Sequence, residues 1–111
     1  HGTSTPLYDR AEAEALVEVF GLPGPPVTSI KGVTGHSLGA AGAIEAVASV
    51  LSIEHAMIPP TAQTTEVDPE LPTIDLVTGD GRPWEPGPVV SNSFGFGGHN
   101  GCAVLAPAPA G

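Results

Sequence analysis

A chain of 111 residues builds one small domain at most, and 41% hydrophobic content with few aromatics suits a packed α/β layer of Ala, Val, Ile and Leu. Twelve acids against three Lys and Arg give a net charge of −9, which argues against binding a nucleic-acid backbone or a polybasic docking patch for membranes. The single cysteine, Cys102, can form neither an internal disulfide nor a multi-cysteine metal site, and no apolar run is long enough to span a bilayer. No metal, nucleic acid or membrane is therefore expected, and with no signal peptide visible the expected compartment is the cytoplasm. The sequence opens on His1 rather than Met, which predicts an excerpt of a longer protein.

In chain order, Asp9-Arg10-Ala11-Glu12 has the spacing of a capping box, and Leu16, Val19 and Phe20 follow as an apolar stripe. Gly21 and Pro23 supply a stop, so the spacing predicts a helix over residues 10–20. Val27–Ile30 follows a Pro-Gly-Pro-Pro connector and predicts a short strand. Leu38 to Glu54 holds no proline and is rich in Ala, Ile, Val and Leu. It predicts a helix buried on most sides, capped by Ser37, with Gly39, Ala43 and Ala46 allowing another backbone to approach. Pro59–Pro72 is a polar connector expected to be extended and exposed. Ile74–Val77 and Val89–Asn92 predict strands joined by a turn-rich link over Gly81–Pro88. Cys102–Ala106 predicts a buried strand with Cys102 as a small buried hydrophobe. Residues 1–106 thus form one partial domain, and 107–111 a flexible tail.

Two chemistries compete for the stretch Gly35–Gly39, which reads GHSLG. It matches G-x-S-x-G, the nucleophile elbow of α/β-hydrolases, and Ser37, Asp75 and His99 fall in the chain order that a lipase or esterase requires. Against this, an elbow needs a buried strand running straight into it, and Lys31-Gly32 interrupts the run before Gly35. Taken singly, the other polar residues are unremarked. Lys31 reads as a surface lysine, His36 and His99 as structural histidines, Thr3 and Thr5 as loop hydroxyls, and Phe94 and Phe96 as core residues. Glu45, Ser49 and Ser52 share one helical face that suits a solvated stripe or an ion pair equally.

Three segments change that when read together: HGTSTP (His1–Pro6), SIKGVTGHSLGAAG (Ser29–Gly42) and SNSFGFGGHN (Ser91–Asn100). In this order the set resembles the C-terminal half of a condensing enzyme, a β-ketoacyl-[acyl carrier protein] synthase of the synthase II type. Ser4, Gly32-Val33-Thr34 and Phe96-Gly97-Gly98 resemble a discrete fatty-acid or type II polyketide synthase more than a modular one, and the chain keeps the His and Lys-His pattern that chain-length factors lose. The resemblance implies an α/β fold, the C-terminal half of a thiolase-like α-β-α-β-α layered sandwich, and a decarboxylative Claisen condensation. It implies that His1 and His36 are the active-site histidines, Lys31 the nearby lysine and Glu45 its ion-pair partner. Thr3 and Thr5 would line the phosphopantetheine arm, while Phe96 would be a gate on a turn flexed by Gly95, Gly97 and Gly98, with Phe94 beside it in the acyl pocket. No resident cofactor is implied, because phosphopantetheine arrives on an acyl carrier protein. The implied partners are that carrier protein, the N-terminal half of the same fold and a second ketosynthase subunit, as a homodimer or heterodimer. The nucleophilic cysteine of such enzymes lies in the N-terminal half, so these residues alone are expected to be inactive.

Overall fold

The structure, a computed structural model, describes residues 1–110; of the tail expected over 107–111, Gly111 lies outside the described residues. The first helix, α1, spans Pro6–Phe20 and starts a full turn before the predicted residue 10. Thr5-Pro6 is the stronger start signal: Thr5 is extended at the N-cap, its carbonyl accepts from Asp9 N–H at 2.9 Å, and Pro6 enters the first turn with its φ already fixed. Asp9 and Glu12 consequently lie inside the helix, one turn apart, and form no capping box. Gly21, at φ 76°, ends α1.

Strand β1, Pro26–Val27, pairs in parallel with β3, Asp75–Leu76, in the register Pro26↔Asp75 and Val27↔Leu76. Both are shorter than predicted. After Val27 the Thr28 and Ser29 hydroxyls bond Pro59 and Gly2 carbonyls, and the chain turns into a one-turn helix, α2, at Lys31–Thr34. A 3-10 turn at Leu38–Ala40 then leads into α3, Ala41–His55, which ends where Ala56 adopts a left-handed φ of 50°. Ser37 precedes the 3-10 turn but makes no side-chain cap, which corrects the capping expectation.

Four further strands follow, of which the sequence pattern shows only two. Met57–Ile58 (β2) pairs antiparallel with Arg82–Pro83 (β4), and neither segment was predicted as a strand. Val89–Gly95 (β5) and His99–Leu105 (β6) form a hairpin, each longer than expected at the turn end, in the register Val89↔Leu105 through Gly95↔His99. Gly97 and Gly98 make that turn at φ 77° and 81°, a region open to glycine without a Cβ penalty.

Burial departs most from the sequence reading. Among the described residues the buried apolar ones are Ala13, Ile58 and Val77. No residue of α3 is among them, and Val47, Val50 and Leu51 stand exposed. Cys102 is exposed as well, on a β6 that is open along most of its length. The predictions of a buried helix and a buried terminal strand read hydrophobicity correctly and assumed a covering layer that this chain does not contain. The Pro59–Pro72 connector is exposed over its second half, but its start is tied down by Thr61 N–H to the Val77 carbonyl, and Gln63 reaches the Gly32 carbonyl.

Candidate active site

His1 and His36 come together from the first and second segments of the motif set. Their ring centroids are 5.6 Å apart and their planes are close to perpendicular, at 87°. The His1 ring is held on its other sides by Tyr8, edge-on at 5.6 Å, and by Phe94 at 5.2 Å, while Tyr8 and Phe94 stack on each other. Each imidazole accepts a backbone N–H at Nδ1: Leu38 donates to His36 at 3.2 Å, and Phe94 donates to His1 at 3.4 Å. A neutral imidazole that accepts at Nδ1 carries its proton at Nε2, so the geometry assigns both rings the tautomer with a free Nε2–H donor.

The rest of the site grips the backbone around His1. Lys31 Nζ donates both to Glu45 Oε1 and to the His1 carbonyl, with side-chain exposures of 7% for Lys31 and 14% for Glu45. The i, i+4 face of Glu45 and Ser49 is thus the seat of an ion pair rather than a solvated stripe, and Ser49 Oγ donates back to the Glu45 carbonyl. Glu45 Oε2 is buried without a partner. Lys31 makes no hydrogen bond to either imidazole; it positions the His1 main chain.

Glu12 escaped the sequence reading, where it was absorbed into a capping box. Its Oε1 accepts from the His1 main-chain nitrogen at 2.9 Å and from Asn92 Nδ2 at 3.2 Å, and its Oε2 accepts from Gly2 N–H at 3.2 Å. One carboxylate thereby ties α1, the His1-Gly2 step and β5 together. The Thr5-Pro6 start signal could have exposed this, because it places Glu12 beyond the first turn. Asp9, one turn earlier, has Oδ1 buried without a partner. Burial raises its carboxyl above the usual range, the backbone N–H of Ser4 pulls it back, and the Glu12 charge raises it further.

Gly2 sits at φ 53° with Ser29 so close that an added Cβ would fall 2.6 Å from the Ser29 Cβ. The Ser29 hydroxyl donates to the Gly2 carbonyl at 3.0 Å across this contact. Thr3 and Thr5 hold their hydroxyls 2.8 Å apart at the mouth of α1. Thr3 shares with His1, Lys31 and His36 the lining of a cleft of about 620 Å³; Glu45 lines the adjoining one, of about 380 Å³, and Thr5 lines neither. At the hairpin tip Phe96 is 87% exposed, whereas Phe94, two residues back on β5, packs on His1. Of the glycines around Phe96, Gly97 and Gly98 have positive φ, and Gly95 closes the ladder opposite His99.

The hydrolase constellation does not assemble. Both Asp75 oxygens accept from Arg82 at 2.7 Å, which holds the Asp75 carboxyl below its ordinary range. Among the described residues no hydrogen bond joins Ser37, Asp75 and His99, and the segment leading to Gly35 is the helical turn α2 rather than a strand.

The chain belongs to the beta-ketoacyl synthase family, matching its C-terminal domain over residues 1–65. It is 46% identical over 105 residues to 3-oxoacyl-[acyl-carrier-protein] synthase 1 of Escherichia coli (strain K12), covering 95% of this chain and 26% of that protein. It is 47% identical over 108 residues to 3-oxoacyl-[acyl-carrier-protein] synthase 2 of Coxiella burnetii, covering 96% and 26%. Among solved structures it superposes on the ishigamide ketosynthase/chain length factor with a TM-score of 0.93 at 38% identity, over 98% of this chain and 27% of that one. A beta-ketoacyl synthase from Burkholderia phymatum STM815 gives a TM-score of 0.92, also at 38% identity. The fold is therefore α/β and corresponds to the C-terminal part of the thiolase-like sandwich, as the motif set implied. The chain spans about a quarter of the length of the curated relatives it matches.

Proposed function

We propose that the chain is the C-terminal catalytic segment of a cytoplasmic β-ketoacyl-[acyl carrier protein] synthase, working in fatty-acid or type II polyketide elongation. The observation that carries this reading is the pair of facing imidazoles, each with Nδ1 occupied and Nε2–H free. In the proposed reaction an acyl group rides on a cysteine outside this chain, and malonyl-carrier protein enters on its phosphopantetheine arm past Thr3 and Thr5. The bond from the malonyl methylene carbon to the carboxylate breaks and carbon dioxide leaves. The electron pair moves onto the thioester oxygen, which accepts from the Nε2–H groups of His1 and His36. The enolate carbon then attacks the acyl thioester, a carbon–carbon bond forms and the cysteine thiolate departs. Preorganised donors of this kind contribute about 3 kcal/mol each to a transition state that develops oxyanion charge. Lys31, Glu45 and Glu12 act as positioning residues, and Phe96, on its glycine turn, serves as the gate beside the acylated cysteine. No resident cofactor is needed, and the synthase works as a dimer.

The test replaces the matching 105 residues of the Escherichia coli synthase 1 with this chain and follows carbon dioxide release from malonyl-carrier protein. His36→Ala is expected to lower the rate roughly 100- to 1,000-fold. Ser37→Ala is expected to leave it within a few-fold of the parent. A His36→Ala chimera that folds, by its thermal transition, yet decarboxylates at the parent rate would overturn the assignment, as would loss of activity in Ser37→Ala alone.

A further inference from the structure

The helix that carries Lys31 is too short to hold itself. α2 is a single turn, Lys31–Thr34, and a turn of that length has no stability of its own in water. Lys31, at its start, reaches the His1 carbonyl and Glu45, and Gly35, at φ 70°, ends it and hands the chain to His36. Lys31 and His36 therefore both take their place from α2. The Gly32 carbonyl, inside this turn, accepts no backbone N–H among the described residues, because the helix stops before a donor reaches it.

Its donor comes from the connector. Gln63 Nε2 donates to the Gly32 carbonyl at 2.7 Å, and the Ala62 carbonyl presses on Gly32 so closely that a Cβ there would collide with it. A carbonyl only accepts, so it is the amide nitrogen of Gln63 that faces it. Both contacts come from adjacent residues of one turn, in which Thr64 N–H meets the Thr61 carbonyl at 3.4 Å. Gln63 takes the third place of that turn at φ 62°, a left-handed conformation that favours glycine or asparagine and strains a residue with a longer side chain. The base of the turn is firm: Thr61 donates its N–H to the carbonyl of buried Val77 at 2.8 Å, and its hydroxyl accepts from Ser29 N–H at 3.4 Å.

We propose that Gln63 is a positioning residue of the condensation site, its amide and the Ala62 carbonyl clamping α2 so that Lys31 and His36 stay in register with His1. The proposal rests on the functional reading above and adds to it a residue that no motif segment contains. Gln63 makes no hydrogen bond to either imidazole, and lies with Thr3, Lys31 and His36 along the cleft of about 620 Å³. Two actions are open to a residue in that place. Contact with an arriving phosphopantetheine arm would show in KM, whereas placement of α2 shows in kcat. The hydrogen bond favours the second, because it engages the amide nitrogen with the main chain of α2.

The chimeric synthase tests this through two variants. Gln63→Gly relieves the left-handed backbone and removes the amide; Gln63→Glu keeps the strained backbone and sets an acceptor against the Gly32 carbonyl. Both are expected to lower kcat for carbon dioxide release roughly 10- to 100-fold with KM within about two-fold of the parent's, and Gln63→Gly to keep the parent's thermal midpoint. Both are also expected to speed hydrogen exchange at the Gly35 amide, which closes α2 on the Lys31 carbonyl at 2.9 Å, by roughly 10-fold or more. The Val77 amide, bonded to the Val27 carbonyl, should keep its rate. Parent kcat in either variant overturns the proposal, as does a raised KM at unchanged kcat, or a loss of kcat that only follows a fall in thermal midpoint. The exchange readout needs no turnover: an inactive parent chimera that still shows the Gly35 response overturns the functional reading alone, and an active one whose Gly35 amide ignores both variants overturns the clamp alone.

Discussion

Removing the Glu45 charge is the sharpest perturbation of the positioning network. Glu45→Gln keeps an oxygen to accept from Lys31 but leaves an ammonium, 7% exposed, without a counter-charge. Two unit charges about 3 Å apart at an effective dielectric of 20 attract by about 5.5 kcal/mol. Part of that is offset because the neutral amide is easier to bury, so the expected loss is about 3–5 kcal/mol, in line with broken buried pairs elsewhere. Set against a fold stability of about 5–15 kcal/mol, that is a large fraction. The assay is urea denaturation followed by fluorescence of Trp84, the single tryptophan, whose Nε1 donates to the Ser52 carbonyl in the helix that carries Glu45. Asp75→Asn serves as control, since its Arg82 partner is 41% exposed and solvent already screens that pair; its midpoint should shift far less. Combining Glu45→Gln with Lys31→Met removes the stranded ammonium, so the double variant should recover at least half of the loss. Additive losses in the double variant, or a Glu45→Gln effect no larger than that of Asp75→Asn, would refute the argument that the pair is buried and mutually dependent.

Asp9 gives a pH signature of the opposite sense to a salt-bridged acid. Its carboxyl is raised in the fold, chiefly by burial, so the folded state binds the proton more tightly than the unfolded chain and stability falls as pH rises through the raised value. Asp9→Asn should therefore stabilise the chain at neutral pH and lose that advantage as pH drops toward 3.8, the ordinary carboxyl value, measured by the same denaturation at stepped pH; an advantage that grows on acidification would contradict the burial. Two glycines offer a paired test of packing. A Cβ at Gly32 would collide with the Ala62 carbonyl, a backbone group that cannot swing aside, so Gly32→Ala should cost about 1–3 kcal/mol. Gly39 has open space around it, so Gly39→Ala should be neutral or gain up to about 1 kcal/mol in the isolated chain.

Element identity was legible where periodicity or turn chemistry was strong. Two helices, β5 and β6 could be drawn from the sequence, with α1 misplaced by one turn because the Asp9–Glu12 spacing outweighed Thr5-Pro6. The two-residue strands β2 and β4 carry no period and exist only because they meet: Ile58 opposite Arg82, with the Trp84 N–H on the Ala56 carbonyl. Burial was illegible for a different reason. The apolar character of Leu38–Glu54 and Cys102–Ala106 reports what a segment is made of, and not whether the residues around it cover it. At the site, motif order singled out His1, Lys31, His36 and Glu45 and the structure brings them together. Glu12, Asp9 and Tyr8 lie outside the three motif segments, and Asn92 reaches Glu12 across 80 residues.

What the gripping residues hold is also informative. Glu12 takes the main-chain nitrogens of His1 and Gly2, and Lys31 takes the His1 carbonyl; all three contacts are to main chain. Had either charge bonded the imidazole directly, it would have fixed a charge state or consumed a ring nitrogen: a carboxylate on Nδ1 favours imidazolium, and an ammonium near Nε2 competes for the substrate oxygen. Charges on the backbone avoid both while still fixing where the ring starts, and the ring itself is oriented by neutral contacts, the faces of Tyr8 and Phe94 and the Phe94 N–H. In the proposed reaction this division leaves each Nε2–H as a neutral donor for the enolate oxygen. The Lys31 ammonium accordingly bonds the His1 carbonyl and Glu45 and neither histidine ring.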